Sequence, residues 1–210
     1  MMNIFKSLTA VSLVLALSSC SSDDDTAAPL EELESETVTN LYAPEIGGRV
    51  EPSSGDFTKF DFETGSETTS ETDWDVAFRS TTILVNGGSK TGITDEPERT
   101  ADAAVYIASG TLASITEVDT SLFAQDTAEG PAIAIGSGNG WYNYTGEPYH
   151  LIKPIPGTIL VFRTSEGKYA KLEILSYYEN APEEPDGLSD ATPYYTFDYV
   201  YQPNEGITTF

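Results

Sequence analysis

Short runs of β-branched and aromatic residues, each closed by turn-forming residues, constrain the fold of this 210-residue chain most strongly. Residues 158–164 read Thr-Ile-Leu-Val-Phe-Arg-Thr, and a Ser-Glu-Gly turn separates them from residues 168–178. In the second run apolar residues alternate with Lys171 and Glu173, which is the pattern of a strand with one buried face. Two such runs joined by a short turn predict an antiparallel hairpin.

Similar runs recur from about residue 41 to the end of the chain. Aromatic side chains occupy every second position of residues 195–201, which predicts another half-buried strand. Helical periodicity nowhere extends beyond two turns, so we predict a single, mainly β domain, antiparallel and with few short helices, over residues 41–210. The predicted strands are Asp75–Arg79, Thr82–Val85, Ala103–Ala108, Ile133–Ile135, Thr158–Thr164, Lys168–Tyr178 and Tyr194–Tyr201.

The first 19 residues have the pattern of a secretory signal peptide. Lys6 precedes an apolar run of about ten residues, which is too short to span a bilayer. The next motif, Leu-Ser-Ser-Cys at residues 17–20, matches the bacterial lipobox, in which the cysteine is lipidated and becomes the new N-terminus. We therefore predict a lipoprotein anchored to the membrane at Cys20. Residues 20–40 are acidic and poor in apolar side chains, which predicts a flexible tether.

The residues that follow the lipobox indicate where the lipoprotein is sent. Residues 21–25 read Ser-Ser-Asp-Asp-Asp, and they resemble the acidic signal that directs lipoproteins of some Gram-negative bacteria to the outer leaflet. We therefore expect the protein in the outer membrane, exposed at the cell surface. A solvated acidic spacer is the other interpretation of this segment.

The charge balance excludes several classes of function. The chain has 34 acidic and 10 basic residues, for a net charge of −24. Such a surface repels a phosphate backbone, so nucleic acid is not an expected partner. One cysteine and one histidine allow neither an internal disulfide nor a histidine-rich metal centre. The sequence has no Gly-x-Ser-x-Gly elbow and no phosphate-binding loop, and we predict that the chain is not an enzyme.

His150 is the candidate ligand-binding residue. It ends the segment Trp-Tyr-Asn-Tyr-Thr-Gly-Glu-Pro-Tyr-His at residues 141–150, which is dense in aromatic residues and turn formers. An imidazole among aromatic rings suits the axial position of haem iron. A loop histidine that is hydrogen-bonded to a backbone carbonyl is the alternative that the residues leave open.

Three segments resemble the HmuY-like haem-binding lipoproteins. They are Asp-Trp-Asp-Val-Ala-Phe-Arg at residues 73–79 with Asn-Gly-Gly at 86–88, the run of residues 163–178, and Tyr-Val-Tyr-Gln-Pro at 199–203. The resemblance implies an almost all-β domain that captures haem and passes it to a TonB-dependent outer-membrane receptor. In the best-known member two histidines hold the iron, and some relatives use two methionines.

This sequence departs from both of those ligand sets. It has one histidine, and removal of the signal peptide leaves no methionine. The haem ligands that remain are His150 alone, or His150 with a tyrosine such as Tyr149 or Tyr106, and no metal other than haem iron is expected.

The resemblance also suggests residues that contact the rest of the haem. Arg79 and Arg163 lie in the resembling segments and are candidate partners of the haem propionates, and Trp141 is a candidate for packing against the porphyrin. The alternative function is a surface interaction or adhesion lipoprotein that keeps the fold and has lost haem ligation.

Overall fold

The computed structural model describes residues 29–48 and 51–210. The predicted signal peptide, Cys20 and the acidic residues 21–25 lie outside these ranges. Within them the chain forms antiparallel strands and two single 3₁₀ turns, which confirms the mainly β prediction. The strands are β1 (Glu34–Tyr42), β2 (Thr58–Asp61), β3 (Ser66–Thr68), β4 (Val76–Arg79), β5 (Thr82–Val85), β6 (Ala104–Ser109), β7 (Tyr142–Tyr144), β8 (Ile152–Pro154), β9 (Thr158–Arg163), β10 (Tyr169–Ser176) and β11 (Tyr194–Gln202), and the 3₁₀ turns are Leu112–Ser114 and Thr120–Leu122.

Two sheets and one separate hairpin make up the domain. The larger sheet has five strands in the order β1-β11-β10-β9-β6, the smaller has four in the order β3-β2-β4-β5, and β7 pairs with β8. No helix in the described ranges has the length and hydropathy needed to cross a bilayer.

Aromatic side chains fill the core between the two sheets. Phe60 of β2 lies 5.5 Å from Phe197 of β11, measured between ring centroids. Phe78 of β4 lies 4.9 Å from Tyr195 of β11. All four side chains are buried, so ring-to-ring contacts hold the sheets together.

The predicted hairpin is present as β9 and β10, with Leu172 opposite Leu160. Lys171, expected on the exposed face of this hairpin, is instead buried. Its Nζ donates a hydrogen bond to the carbonyl of Ile115 at 2.7 Å and lies 4.6 Å from the centre of the Phe210 ring. The connection that carries the 3₁₀ turns and the last residue of the chain therefore cover the outer face of the larger sheet.

Strand β1 corrects the predicted tether. It pairs with β11 in antiparallel register, with an irregularity between Val38 and Leu41. Most of its side chains are exposed, so backbone hydrogen bonds provide much of its attachment. An acidic, polar composition does not reveal a strand that is held in this way. The predicted domain boundary at residue 41 is wrong, because the sheet already begins at Glu34.

The predicted strand at residues 133–135 is also wrong. This stretch is irregular, although Ile133 is buried in the core as its apolar character suggests. A run of three residues next to a glycine-rich turn is too short to distinguish a strand from a buried loop.

Candidate functional site

Strands β7 and β8 present His150 in a tight loop, residues 145–151, which we call the His150 loop. Two hydrogen bonds of 2.9 Å close it, one from the backbone nitrogen of Thr145 to the carbonyl of Leu151 and one from the nitrogen of Leu151 to the Thr145 hydroxyl. The backbone nitrogen of His150 donates to the carbonyl of Gly146 at 2.8 Å. His150 itself has a φ of +49°, a left-handed conformation that costs free energy for a residue with a Cβ.

The imidazole of His150 is half-buried and oriented by a tyrosine. Its Nδ1 is hydrogen-bonded to the hydroxyl of Tyr144, the last residue of β7, and the two ring centroids are 6.0 Å apart. Nε2 makes no hydrogen bond to any residue that the structure describes. The partner is a phenol, not the backbone carbonyl of the alternative interpretation. An imidazole held through Nδ1 in this way presents Nε2 as the donor atom to a ligand.

A second loop, residues 177–193, packs against the His150 loop. A Cβ at Gly187 would lie 2.3 Å from the carbonyl oxygen of Tyr149 and 2.6 Å from that of His150, so a larger residue would force the loops apart. Tyr178 accepts a hydrogen bond from the backbone nitrogen of Ile152 at 2.9 Å. These contacts fix the backbone on both sides of His150.

The surface around the two loops exposes aromatic and apolar side chains. The exposed fraction is 45% for Tyr144, 66% for Tyr149 and 73% for Leu188, which follows Gly187. Single exposed apolar residues are common, but several on two contacting loops are typical of a binding surface.

A cleft of about 370 Å³ adjoins these loops, between β8, β10 and the second loop. Its volume is in the range of small-molecule sites. Leu175, which is 47% exposed, and the stem of Lys153 are part of its walls. The remaining walls combine apolar residues, including four prolines, with the polar side chains of Glu173, Ser176 and Glu183.

Tyr106, one of the predicted iron ligands, lies elsewhere. It belongs to β6, its ring is 5.2 Å from Phe123, and its hydroxyl accepts a hydrogen bond from the backbone nitrogen of Asp119 at 3.1 Å. These contacts place it in the apolar cluster that covers the outer face of the larger sheet. Among the described residues no contact joins Tyr106 to His150, whereas Tyr149 precedes His150 directly.

Both predicted propionate partners are already engaged. Arg79 is buried, and its Nη1 donates to the carbonyls of Gly55 and Thr94, each at 2.7 Å. Arg163 forms an ion pair with Asp102 at 2.8 Å and donates from Nε to the same residue's carbonyl. The structure therefore assigns Arg79 to the core, where distant loops supply its acceptors, and pairs Arg163 with a neighbouring acid.

Trp141, predicted to pack against a porphyrin, is also a core residue. It is 2% exposed, its Nε1 donates to the carbonyl of Thr81 at 3.0 Å, and its ring lies 5.2 Å from that of Tyr195. A ligand would have to open the core to reach it. Sequence reasoning missed Tyr144, Gly187 and Lys153, which the structure places near His150 or the adjoining cleft.

Comparison with known proteins gives structural similarities at low identity. An apo HmuY analog from Tannerella forsythia aligns with a TM-score of 0.49 and 13% identity, over 84% of this chain and 100% of that chain. A lipoprotein from Bacteroides fragilis aligns with a TM-score of 0.47 and 15% identity, over 82% and 92%. An HmuY-like haem-binding protein from Bacteroides vulgatus aligns with a TM-score of 0.45 and 16% identity, over 82% and 93%.

The sequence itself identifies the family. No curated protein matches this chain at a significant level. The family model described as HmuY protein, however, matches residues 53–199. This range holds both sheets except β1 and the end of β11, and it includes the His150 loop. Because the match covers well over half of the sequence, the chain belongs to the HmuY family.

Proposed function

We propose that this protein is a lipid-anchored haem-binding protein that uses His150 as an iron ligand. The observation that carries the proposal is the hydrogen bonding of the His150 imidazole. Its Nδ1 is hydrogen-bonded to Tyr144, and its Nε2 has no hydrogen bond within the described residues. The loop that carries it also exposes aromatic and apolar side chains to a ligand. Membership of the HmuY family supports haem as the ligand.

The residues around His150 fit haem bound through one imidazole. A porphyrin is held largely by apolar and aromatic contacts, and the iron–nitrogen bond adds to them. Tyr144, Tyr149 and Leu188 supply such surface, and the cleft beside β8 extends it. A pair of histidines or of methionines within one chain does not fit, because the chain has a single histidine and its methionines are residues 1 and 2.

Lys153 replaces the two arginines as the candidate propionate partner. It lies on β8 and lines the cleft, and its ammonium forms no ion pair with any acid in the described ranges. Arg79 and Arg163 do not combine these properties, since the first is buried and the second is paired. The cleft also holds Glu173 and Glu183, so Lys153 is the one cationic side chain among its lining residues and the one that can pair with an anionic edge of the ligand.

Haem titration of the full-length protein, purified in mild detergent and followed by Soret absorbance, tests the proposal. We expect a saturable Soret shift in the wild type and its loss in His150→Ala. Tyr106→Phe is the matched control. It removes the hydroxyl of a predicted ligand whose contacts are with Asp119 and Phe123 and not with the His150 loop, so this variant should titrate like the wild type. The absence of a shift in the wild type would overturn the proposal.

Delivery to a TonB-dependent receptor and display on the outer membrane are part of the proposal. The lipobox at residues 17–20, the acidic residues after it and the family support them. Growth on haem as the only iron source should fall when the gene is deleted, and it should be restored by the wild type but not by His150→Ala. Equal restoration by both would contradict a carrier role for this site.

A surface interaction protein on the same fold is the second candidate. It is favoured by an acidic cleft of about 580 Å³ on the smaller sheet, a surface better suited to a basic partner than to an anionic ligand. Its acidic lining residues are Asp56, Glu67, Glu71, Asp95, Glu96 and Glu98. A wild-type protein that gives no Soret shift would favour this function over haem binding.

A further inference from the structure

We propose that the chain coordinates haem iron from one face only, with Nε2 of His150 as its single axial ligand and Tyr144 as the residue that positions the imidazole. This inference rests on the haem-binding function proposed above. It predicts a coordination state that differs from a two-histidine or two-methionine site.

The hydrogen bond between Tyr144 and His150 selects one form of the imidazole. A nitrogen that binds a metal must offer its lone pair, so a neutral imidazole that binds through Nε2 carries its proton on Nδ1. In that tautomer the Nδ1–H group donates a hydrogen bond to the hydroxyl oxygen of Tyr144. A hydrogen bond of this kind fixes the ring orientation and increases the basicity of the ligating nitrogen.

The same bond keeps Tyr144 away from the second axial position. The lone pairs of Nδ1 and Nε2 point in divergent directions, and the Tyr144 hydroxyl is on the Nδ1 side of the ring. A hydroxyl held there lies on the same face of the porphyrin as His150 and cannot be opposite to it.

The two tyrosines predicted as partners of His150, Tyr149 and Tyr106, do not provide an opposite ligand either. Tyr149 is the chain neighbour of His150, so the two Cα atoms are only about 3.8 Å apart and the porphyrin would have to pass between adjacent residues. Its carbonyl is also packed against Gly187, which leaves no room to move that backbone. Tyr106 is held by Asp119 and Phe123 in the cluster on the outer face of the larger sheet. The chain offers no further histidine.

Coordination from one face has a spectroscopic consequence. Ferric haem with one imidazole is high-spin, whereas a second strong-field nitrogen makes it low-spin. The open position should therefore accept a small external ligand, such as added imidazole for the ferric form or carbon monoxide for the ferrous form. Binding should saturate at one haem per chain, because no second chain is needed to complete the site.

The experiment uses the full-length protein in detergent, loaded with haem. We expect one haem per chain, a high-spin ferric electron paramagnetic resonance signal, and conversion to low-spin haem by added imidazole. Resonance Raman spectra of the ferrous form should show an iron–imidazole stretch that His150→Ala abolishes. Tyr144→Phe should lower the frequency of that stretch and weaken haem binding by roughly 10- to 100-fold.

Tyr194→Phe is the matched control for Tyr144→Phe. Tyr194 is also a partly exposed tyrosine at a strand end, it stacks on Tyr42 at 4.6 Å between ring centroids, and its hydroxyl has no hydrogen-bond partner among the described residues. It should leave the stretch and the affinity unchanged. A thermal unfolding curve for each variant separates a loss of fold from a loss of positioning.

Three results would overturn the inference. A low-spin ferric signal with two chains per haem would show that two copies each supply His150. An iron–imidazole stretch that Tyr144→Phe leaves unchanged would remove the positioning role. Loss of a phenolate-to-iron charge-transfer band in Tyr144→Phe would make Tyr144 the ligand. A wild type that binds no haem would instead contradict the proposed function itself.

Discussion

The carboxylate of Asp75 accepts two hydrogen bonds from Ser165, at 2.6 Å from its backbone nitrogen and 2.7 Å from its hydroxyl. Asp75 directly precedes β4 of the smaller sheet, and Ser165 lies in the turn between β9 and β10 of the larger sheet. A third hydrogen bond, of 2.8 Å, comes from the backbone nitrogen of Phe62. One fully buried carboxylate therefore connects the two sheets.

Replacing Asp75 by alanine should destabilise the domain strongly. The change leaves the backbone N–H groups of Phe62 and Ser165 without an acceptor, whereas the Ser165 hydroxyl keeps Glu166 at 2.8 Å. Each buried unsatisfied group costs about 1–3 kcal/mol. We expect a loss of about 3–4 kcal/mol in the free energy of unfolding, measured by urea denaturation. Asp73→Ala is the matched control, because Asp73 is an exposed acid two residues away. Equal losses in the two variants would contradict the role of Asp75.

The stability of the protein should depend on pH through the same residue. Burial, with a smaller contribution from the charge of Glu166, raises the pKa of Asp75 from its ordinary 3.8 to about 6. Between these values the folded protein keeps a proton that the unfolded chain has lost, so stability from this group falls as the pH rises from about 4 to about 6. The size of the effect is about 3 kcal/mol.

Asp75→Asn isolates this effect from the repulsion among the other acids. The difference in unfolding free energy between wild type and variant should favour the wild type more at pH 4 than at pH 7.5, when both are measured in urea. A difference that stays constant over this range would show that Asp75 does not titrate with a raised pKa.

Internal deletions should locate the start of the folded domain. Removing residues 21–33 costs the hydrogen bonds between the backbone of Glu31 and the side chain of Asn204, worth about 1 kcal/mol in total. Removing residues 21–40 also takes most of β1 and uncovers the edge of β11. We expect that larger deletion to lower the melting temperature by at least about 6 °C, for a loss of about 3 kcal/mol. Identical melting temperatures for the two deletion variants would show that residues 34–40 do not stabilise the fold and that the tether extends to residue 40.

Lipidation should depend on Cys20. Without the thiol no thioether can form, so Cys20→Ala should remain an uncleaved or unlipidated precursor and lack the acyl mass by mass spectrometry. Ser22→Ala, a neighbouring change that keeps the lipobox, should be processed normally. Acylated, membrane-bound Cys20→Ala protein would refute the lipoprotein assignment.

The parts of the fold that the sequence predicts are those with a strong burial pattern. The sequences of β10 and β11 alternate between apolar and polar positions, and β9 is a continuous apolar run closed by a turn. The sequence predicts all three strands close to their observed bounds. The short strands β2, β3, β7 and β8 have three or four residues, too few for a period of two to show. Strand β1 is an edge strand that is held mainly by backbone hydrogen bonds to β11, which leave no pattern in the side chains.

The residues of the candidate site also fall into those that the sequence predicts and those that only the fold reveals. His150 and Tyr149 stand out in an aromatic segment, so composition alone identifies them. The hydrogen bond between His150 and Tyr144 depends on how the intervening loop folds back. The spacing of six residues in the sequence does not predict it. Arg79 is a candidate propionate partner because it lies in a segment that resembles the family, and arginine side chains are mostly exposed. Arg79 can be buried because its guanidinium donates to the carbonyls of Gly55 and Thr94. These residues are distant in sequence and meet Arg79 only in the folded chain.

The early start of β1 also sets how far the protein can reach. In the lipoprotein proposed above, with its lipid on Cys20, only the thirteen residues 21–33 would connect the bilayer to the sheet. Even a fully extended chain of that length spans no more than about 45 Å. Such an anchor would confine the first strand to a layer a few nanometres deep above the headgroups. A partner must come to the membrane to meet this protein, and encounters within that layer occur at a high effective concentration.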